Sequence, residues 1–420
     1  MALPKATALA ALALVLSLTG ACGDDGRAAG GPPGAKVPKE DDPAPEADPL
    51  FVHPSSRDFS DNPRLLERIV SSAHGYFRFV NVRFSEAVCE RFRDELPSMP
   101  AVNLHGDAHI EQYAVTSFGR GMTDFDDSST GPGIIDLIRF GVSVRLACHE
   151  RGWGECEDVF DELLRGYRDA LADPALSPDP PAVAPRIQAT FTRDRSEFLE
   201  WAQGLMRPLE DVRRGPLEEA FARYASSLVE ETPDMDTDFF EIRALGQLHM
   251  GIGSALDEKY LIRVQGPTGE PGDDVVLEVK EIRDLSGISC IQNADSVDPF
   301  RILVGQSRIA YEPYPYLGYV TLDGRPFWIH GWADNYEELE VGTLISHAEL
   351  GEIAYDVGVQ LGRGHTKQIA APLDHQLRRR EREIVDEHER ALRRNIGEFV
   401  ERTEAAWRRF RDAAAEGEGQ

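Results

Sequence analysis

Two kinds of apolar periodicity divide this chain, and their order limits what it can fold into. Helical spacing dominates residues 60–97, where Leu65, Ile69, Phe77 and Phe84 recur, and residues 134–149, where Ile134, Leu137, Ile138, Val142 and Leu146 do. It continues over 156–172, 194–208 and 216–230. Near Arg243 the character changes. Tyr260-Leu261-Ile262-Arg263-Val264 and Val275-Val276-Leu277-Glu278-Val279-Lys280 are β-branched and partly alternating, with a Gly- and Pro-rich hairpin loop from Gly266 to Asp274 between them. Further strands are predicted at 317–322 and 325–331, and helices return at 346–361 and 376–414. Strands gathered in one stretch with helices on both sides predict an α+β protein.

The N-terminus reads as an export signal. Lys5 precedes an apolar run from Ala6 to Leu18 that is short for a transmembrane span. Leu18-Thr19-Gly20-Ala21-Cys22 is similar to a bacterial lipobox, although Leu18 stands four residues before the cysteine where three is usual. Residues 1–22 are therefore expected to be a lipoprotein signal peptide with Cys22 as the lipidated residue. An ordinary cleaved signal peptide is the alternative. Residues 23–48 hold few large apolar side chains and cannot bury enough surface to offset chain entropy, so they are expected to form a disordered tether. The protein is expected to be exported and lipid-anchored, facing the periplasm or the cell exterior.

The roughly 370 residues that follow are many for one core and predict two lobes. The boundaries are a mostly helical lobe over 49–242, a β-rich lobe over 243–340 and C-terminal helices over 341–420. Lys and Arg number 45 against 73 Asp and Glu, a net charge of -28. Such a field repels nucleic acid and anionic lipid, so the expected membrane contact is the lipid alone. Without Cys22, four cysteines remain, an even number that suits disulfides in an oxidising compartment. Cys148 and Cys156 flank the turn around Gly152 and are placed to pair. The 376–414 stretch, rich in Arg and Glu at helical spacing, reads as an ion-paired scaffold helix.

The chemistry concentrates in two places. His105-Gly106-Asp107-Ala108-His109-Ile110-Glu111-Gln112 follows a predicted strand at 101–104. Asp124-Phe125-Asp126-Asp127 follows on a second short strand, then a turn at 128–133, and Asp136 opens a helix. Carboxylates gathered near glycines are costly unless a cation or proton shares the site, and a hard divalent metal suits them. The second place is the turn Met250-Gly251-Ile252-Gly253-Ser254, with Lys280 two strands later. Such a turn brings backbone N–H groups to a phosphate, and the lysine adds a point charge. An aromatic run from Tyr311 to Tyr316 suits packing between lobes better than a sugar platform.

Gly106-Asp107-Ala108-His109, Asp124-Phe125-Asp126-Asp127, Gly131-Pro132, Asp136-Leu137-Ile138-Arg139, Gly251-Ile252-Gly253-Ser254 and Val279-Lys280-Glu281 resemble, in this order, the bacterial domain-of-unknown-function family 2252. Gly305-Gln306 and Leu361-Gly362-Arg363-Gly364-His365 fit its later motifs. The likeness covers roughly residues 60–370. The same motifs are similar to the core of aminoglycoside phosphotransferases and protein kinases, which implies a two-lobe kinase-like fold. The order of the motifs is reversed, so that fold would be circularly permuted.

The resemblance implies Asp107 as base, with His105 beside it in the catalytic loop. It implies Gln112, Asp124 and Asp126 as magnesium ligands, and Asp136 as an anchor for the loop. Gly251, Gly253, Ser254 and Lys280 would hold the phosphates of ATP or another nucleotide. Two residues depart from the pattern: Gln112 stands where asparagine is expected, and Val304 where a helix usually carries the lysine's glutamate. Glu278 or Glu281 could replace that glutamate, although neighbours on a strand point away from Lys280.

Three readings follow. One is a phosphotransferase acting on the hydroxyl or amine of a small molecule. Another is a catalytically degenerate kinase-like protein that binds a small ligand. The last is a metallohydrolase using His105, Asp107 and His109. The scarcity of ATP outside the cytoplasm weighs on the first.

Overall fold

The computed structural model describes residues 48–59, 63–117, 119–192, 194–232, 235–249, 257–293, 297–340, 342, 346–367, 370–371 and 373–417. Cys22, Gly251, Gly253 and Ser254 lie outside these, so the expectations on lipidation and on the Gly-rich turn meet no coordinates.

Three helices open the folded body: α1 (Pro63–Ser71), α2 (Ala73–Phe79) and α3 (Asn81–Arg91). Ser72 caps α2 by accepting a hydrogen bond from the Gly75 N–H. Short strands follow: β1 (Val102–Leu104), β2 (Tyr113–Thr116), β3 (Arg120–Met122) and β4 (Ser129–Gly131). β1 pairs antiparallel with β4, so the stretch expected to be a plain turn at 128–133 is partly strand. Its Ser-Thr-Gly composition hid that pairing.

Helices α4 (Ile134–Arg151), α5 (Glu157–Ala172), α6 (Val183–Gln188), α7 (Arg195–Leu205) and α8 (Asp211–Glu231) come next. After them run β5 (Ile242–Gln247), β6 (Lys259–Val264), β7 (Val275–Glu281), α9 (Pro299–Ile309), β8 (Gly318–Leu322), β9 (Arg325–Gly331) and β10 (Tyr336–Glu338). The chain ends on α10 (His347–His365) and the 44-residue α11 (Asp374–Gly417). The α+β expectation stands. Among the described residues no helix is long and apolar enough to cross a membrane.

Five strands form one antiparallel sheet in the order β5-β6-β7-β9-β8. One face carries Tyr260, Ile262, Leu277, Val279, Phe327 and Ile329, which pack with Leu217, Phe221 and Tyr224 of α8 and with Phe239 and Phe240. Helix α8 thus shares the sheet's core, although it precedes the β-rich stretch in sequence. The opposite face aligns Lys259, Lys280 and Trp328 on neighbouring strands. β10 leaves this sheet and pairs with β2 instead.

The larger core holds α1 to α5, α10 and α11. α5 and α10 touch at backbone distance because both carry glycine there. A Cβ at Gly166 would lie 2.1 Å from the Tyr355 carbonyl oxygen, and one at Gly358 the same distance from that of Leu163. Disulfides join Cys148 to Cys156, as the spacing suggested, and Cys89 to Cys290. The start of the body is fastened to α11: Arg402 grips the Asp48 carboxylate through Nε at 2.8 Å and Nη2 at 2.9 Å. Next to it, Tyr76 Oη donates to the Leu50 carbonyl at 2.7 Å and accepts from the Val52 N–H at 3.0 Å.

Candidate functional site

The segment His105–Asp107 leaves β1 in a turn that only glycine allows. Gly106 has φ +80°, and a Cβ there would fall 1.9 Å from the Asp127 carbonyl oxygen. The buried Asp136 carboxylate, at the start of α4, holds this turn. It accepts the His105 N–H at 2.7 Å and the Gly106 N–H at 2.9 Å, and His365 Nε2 approaches it to 3.0 Å. Burial raises the Asp136 carboxyl, but the bond to His365 and the backbone bonds outweigh it and leave the group below its usual value.

Asp107 therefore points inward at a fixed place. Its Oδ1 receives Arg139 Nε at 2.7 Å, and Arg139 Nη2 as well. Its Oδ2 receives Gln112 Nε2 at 3.3 Å. Arg139 is fully buried and lies 4.2 Å over the Phe77 ring. Burial works against both charges and lowers the guanidinium, but an arginine so far above neutrality stays protonated. Asp107 is held below its ordinary value because Arg139, and then His109, outweigh its desolvation.

The two histidines differ: both His105 nitrogens are bonded, whereas neither ring nitrogen of the buried His109 has a hydrogen-bond partner among the described residues. His105 Nδ1 accepts the Asp107 N–H at 3.3 Å, so Nε2 carries the proton and donates to the Thr123 carbonyl at 2.8 Å. His109 is buried, with Nε2 3.6 Å from Asp107 Oδ2 and its ring edge-on to His74. Burial pushes its pKa down to about 3, so it is neutral at pH 7. Among the described residues no group of three or more His, Cys, Asp or Glu is arranged to hold a metal ion.

The Asp124–Asp127 run lies against the sheet. Asp124 has a left-handed backbone, φ +54°, and a 3-10 turn follows over Phe125–Asp127. Lys280 Nζ reaches across 156 residues of sequence to Asp124 Oδ1 at 3.0 Å and also contacts Asp126 Oδ2. Trp328 Nε1 donates to the other Asp126 oxygen at 2.9 Å. Asp127 Oδ2 accepts from Asn81 at 2.9 Å and from Arg283 at 2.7 Å. Arg301 of α9 donates to the Asp126 and Ser128 carbonyls and to that of Arg283. Gly305, one turn further along α9, packs on the Ser128 side chain.

Lys280 contacts both carboxylates, and Lys259, opposite it on β6, adds positive charge near them. Asp124, whose side chain is 35 % exposed, is held well below the usual range: desolvation opposes its charge, and Lys280 overrides it. Asp126, 5 % exposed, is pushed up to about 8, by burial first and by the Asp124 charge second. The folded value exceeds that of an ordinary carboxyl, so the native state keeps this proton where the unfolded chain has lost it. The resulting stability is complete below about pH 4 and is lost as pH rises through about 8. Asp126→Asn, followed by urea midpoints from pH 6 to 9, is expected to remove that fall.

Of the three expected magnesium ligands, the structure brings Asp124 and Asp126 together at Lys280. Asp126 has an oxygen against Trp328 and another against Lys280, and the buried Gln112 amide turns onto Asp107. Asp124 is the one of the three that reaches the surface. Lys280 and Arg283 lie against these carboxylates. Val304 is 42 % exposed on the outer side of α9 and faces no lysine. Glu278, two residues from Lys280, shares its face after all, and it accepts from Trp332 Nε1 at 2.8 Å and pairs with His330 at 3.3 Å. Of the aromatic run, Tyr314 stacks on His330, and Tyr311 Oη bonds to Asp356, as packing requires.

Sequence reasoning assigned no role to Arg139, Asp127, Arg283, Arg301 or Trp328. For Arg139 a signal was present: a charged residue within an otherwise apolar helical run needs a buried partner. A cleft of about 810 Å³ opens away from these residues, along α5 and α10, where Glu162, Pro178, Glu352 and Tyr355 line it.

The family model described as an uncharacterized protein conserved in bacteria (DUF2252) matches residues 62–193 and 182–413. No curated protein and no solved structure matches the chain.

Proposed function

The chain belongs to this uncharacterised bacterial family, and on that premise we propose that it is a kinase-like ligand-binding protein, circularly permuted, that takes a phosphorylated small molecule on Lys280. The observation that carries the reading is the position of Lys280, between Asp124 and Asp126 and in the same network as the Asp107 loop. Lysine and carboxylates from distant segments meet, which supports the reading of a permuted phosphotransferase core. Two expected metal positions are engaged within the protein, which favours binding over transfer. A phosphate would compete with Asp124 for the ammonium. Export on a lipidated Cys22 would place this binding outside the cytoplasm, where ATP is scarce.

The second reading is phosphoryl transfer with ATP and magnesium. Its support is that Asp107, Asp124 and Lys280 are all retained. Arg139 would keep Asp107 ionised and aimed, ready to accept the proton of an acceptor hydroxyl. The metallohydrolase reading has less support, because both His105 nitrogens are already bonded.

The two leading readings predict opposite signs for Asp124→Ala. Binding without metal predicts that nucleotide raises the melting temperature equally in magnesium and in EDTA, and more in Asp124→Ala than in the parent. Magnesium-dependent transfer predicts a shift that needs magnesium and disappears in that variant. No shift with ATP, ADP, GTP or inorganic phosphate, in parent or variant, would sink the binding reading.

A further inference from the structure

We propose that Arg308, Arg363 and Lys367 form an anion site, separate from Lys280, for a small phosphate-bearing molecule. α9 ends at Ile309 and α10 at His365, and the two ends meet closely: a Cβ at Gly364 would lie 2.7 Å from the Ile309 Cα. Lys367 Nζ reaches the Ser307 carbonyl at 3.4 Å, beside Arg308. Arg363, four residues before Lys367, lies 5.5 Å over the Tyr311 ring. Three positive side chains therefore share one junction. Arg308 and Lys367 are exposed, and Arg363 is half-buried.

Gathered at one junction, they lack a counter-charge. The chain carries a net charge of -28, and many of its helical arginines hold carboxylates. Arg168 holds Asp386 and Glu389, Arg393 holds Glu157, Asp161 and Glu389, and Arg402 holds Asp48. Among the described residues none of Arg308, Arg363 and Lys367 has a carboxylate partner. Glu312, the acidic residue nearest Arg308 in sequence, has its carboxylate against Gly119 instead. Burial, then Arg363, then Arg308 lower the Lys367 ammonium from its usual value, so the three repel one another.

Helix ends do attract cations, and that alone could seat one residue at each. It does not account for three at one joint without a carboxylate, when His149 in the last turn of α4 is set on Glu404. An anion held by the three side chains would relieve this repulsion. The overall negative field disfavours a long polyanion such as nucleic acid, so the fitting ligand is compact. A phosphomonoester, a short polyphosphate and a phospholipid headgroup share that chemistry.

The test uses the full chain at low salt. Calorimetry with inorganic phosphate and with tripolyphosphate is compared for the parent, the surface double variant Arg308→Gln/Lys367→Gln and Lys280→Met. Tripolyphosphate is expected to bind the junction with the same affinity in the parent and in Lys280→Met, and that binding event is expected to weaken at least tenfold in the double variant, where only the Lys280 site remains. Flotation with vesicles of phosphatidylcholine alone, or with one-third phosphatidylglycerol, separates the sources. Recovery with the anionic vesicles that falls in the double variant assigns the headgroup, and tripolyphosphate binding without it assigns a soluble anion. Equal binding by parent and double variant in both arms, or binding by neither, overturns the site. Loss in Lys280→Met with none in the double variant does so too, and returns the anion to Lys280.

Discussion

Arg139→Met is expected to destabilise the protein by about 3–5 kcal/mol, because it leaves the Asp107 carboxylate buried without its cation. The pair lies in the larger core, with Arg139 fully buried and its guanidinium over Phe77 and Phe84. A methionine fills much of the arginine's volume, so the loss reports the stranded charge more than a cavity. The control is the double variant Arg139→Met/Asp107→Leu, which removes both charges. It is expected to recover most of the loss, since exchanging a whole buried ion pair for apolar residues is often neutral. Urea unfolding of the three proteins measures both numbers. A single variant as stable as the parent would mean that Asp107 is neutral in the native state.

The second large effect concerns the disulfides. Cys89 and Cys290 are 201 residues apart, and Cys148 and Cys156 only 8. A cross-link stabilises chiefly by restricting the unfolded chain, and more so for a longer loop. Replacing both members of the long pair by serine is expected to cost about 4–5 kcal/mol, against roughly 2–3 for the short pair. Parallel urea titrations test the order. The long bridge also fastens the segment after β7, which carries Arg283, onto α3, which carries Asn81. Both residues hold Asp127. Its removal should therefore speed proteolysis near 283–293, whereas loss of the short bridge should leave that region unchanged.

What could be read from the sequence was local. Apolar spacing in Leu137, Ile138, Val142 and Leu146 marks α4, and β-branched runs mark β6 and β7. Gly106 beside Asp107 announces a tight turn. What escaped was set by distant partners. β10 contains Glu337 and Glu338, poor strand formers, and exists because β2 supplies its hydrogen bonds. Arg283 and Arg301 look like surface residues until Asp127 and the Asp126 carbonyl arrive from more than 150 residues away. The carboxylates at 124–127 were visible, but their counter-charges were not. The cations that meet them, Lys280 and Arg283, come from more than 150 residues away.

The fastening of Asp48 to Arg402 has a mechanical meaning. A pull on the chain upstream of residue 48 would load the Asp48–Arg402 clamp first, then the bonds of Leu50 and Val52 to Tyr76. Those contacts belong to α2 and to the far part of α11, and none involves Asp107, Asp124 or Lys280. The load would also enter α2 at Tyr76, and the next residue, Phe77, carries the Arg139 guanidinium 4.2 Å over its ring. The N-terminal fastening and the Asp107 pair thus meet in one short helix.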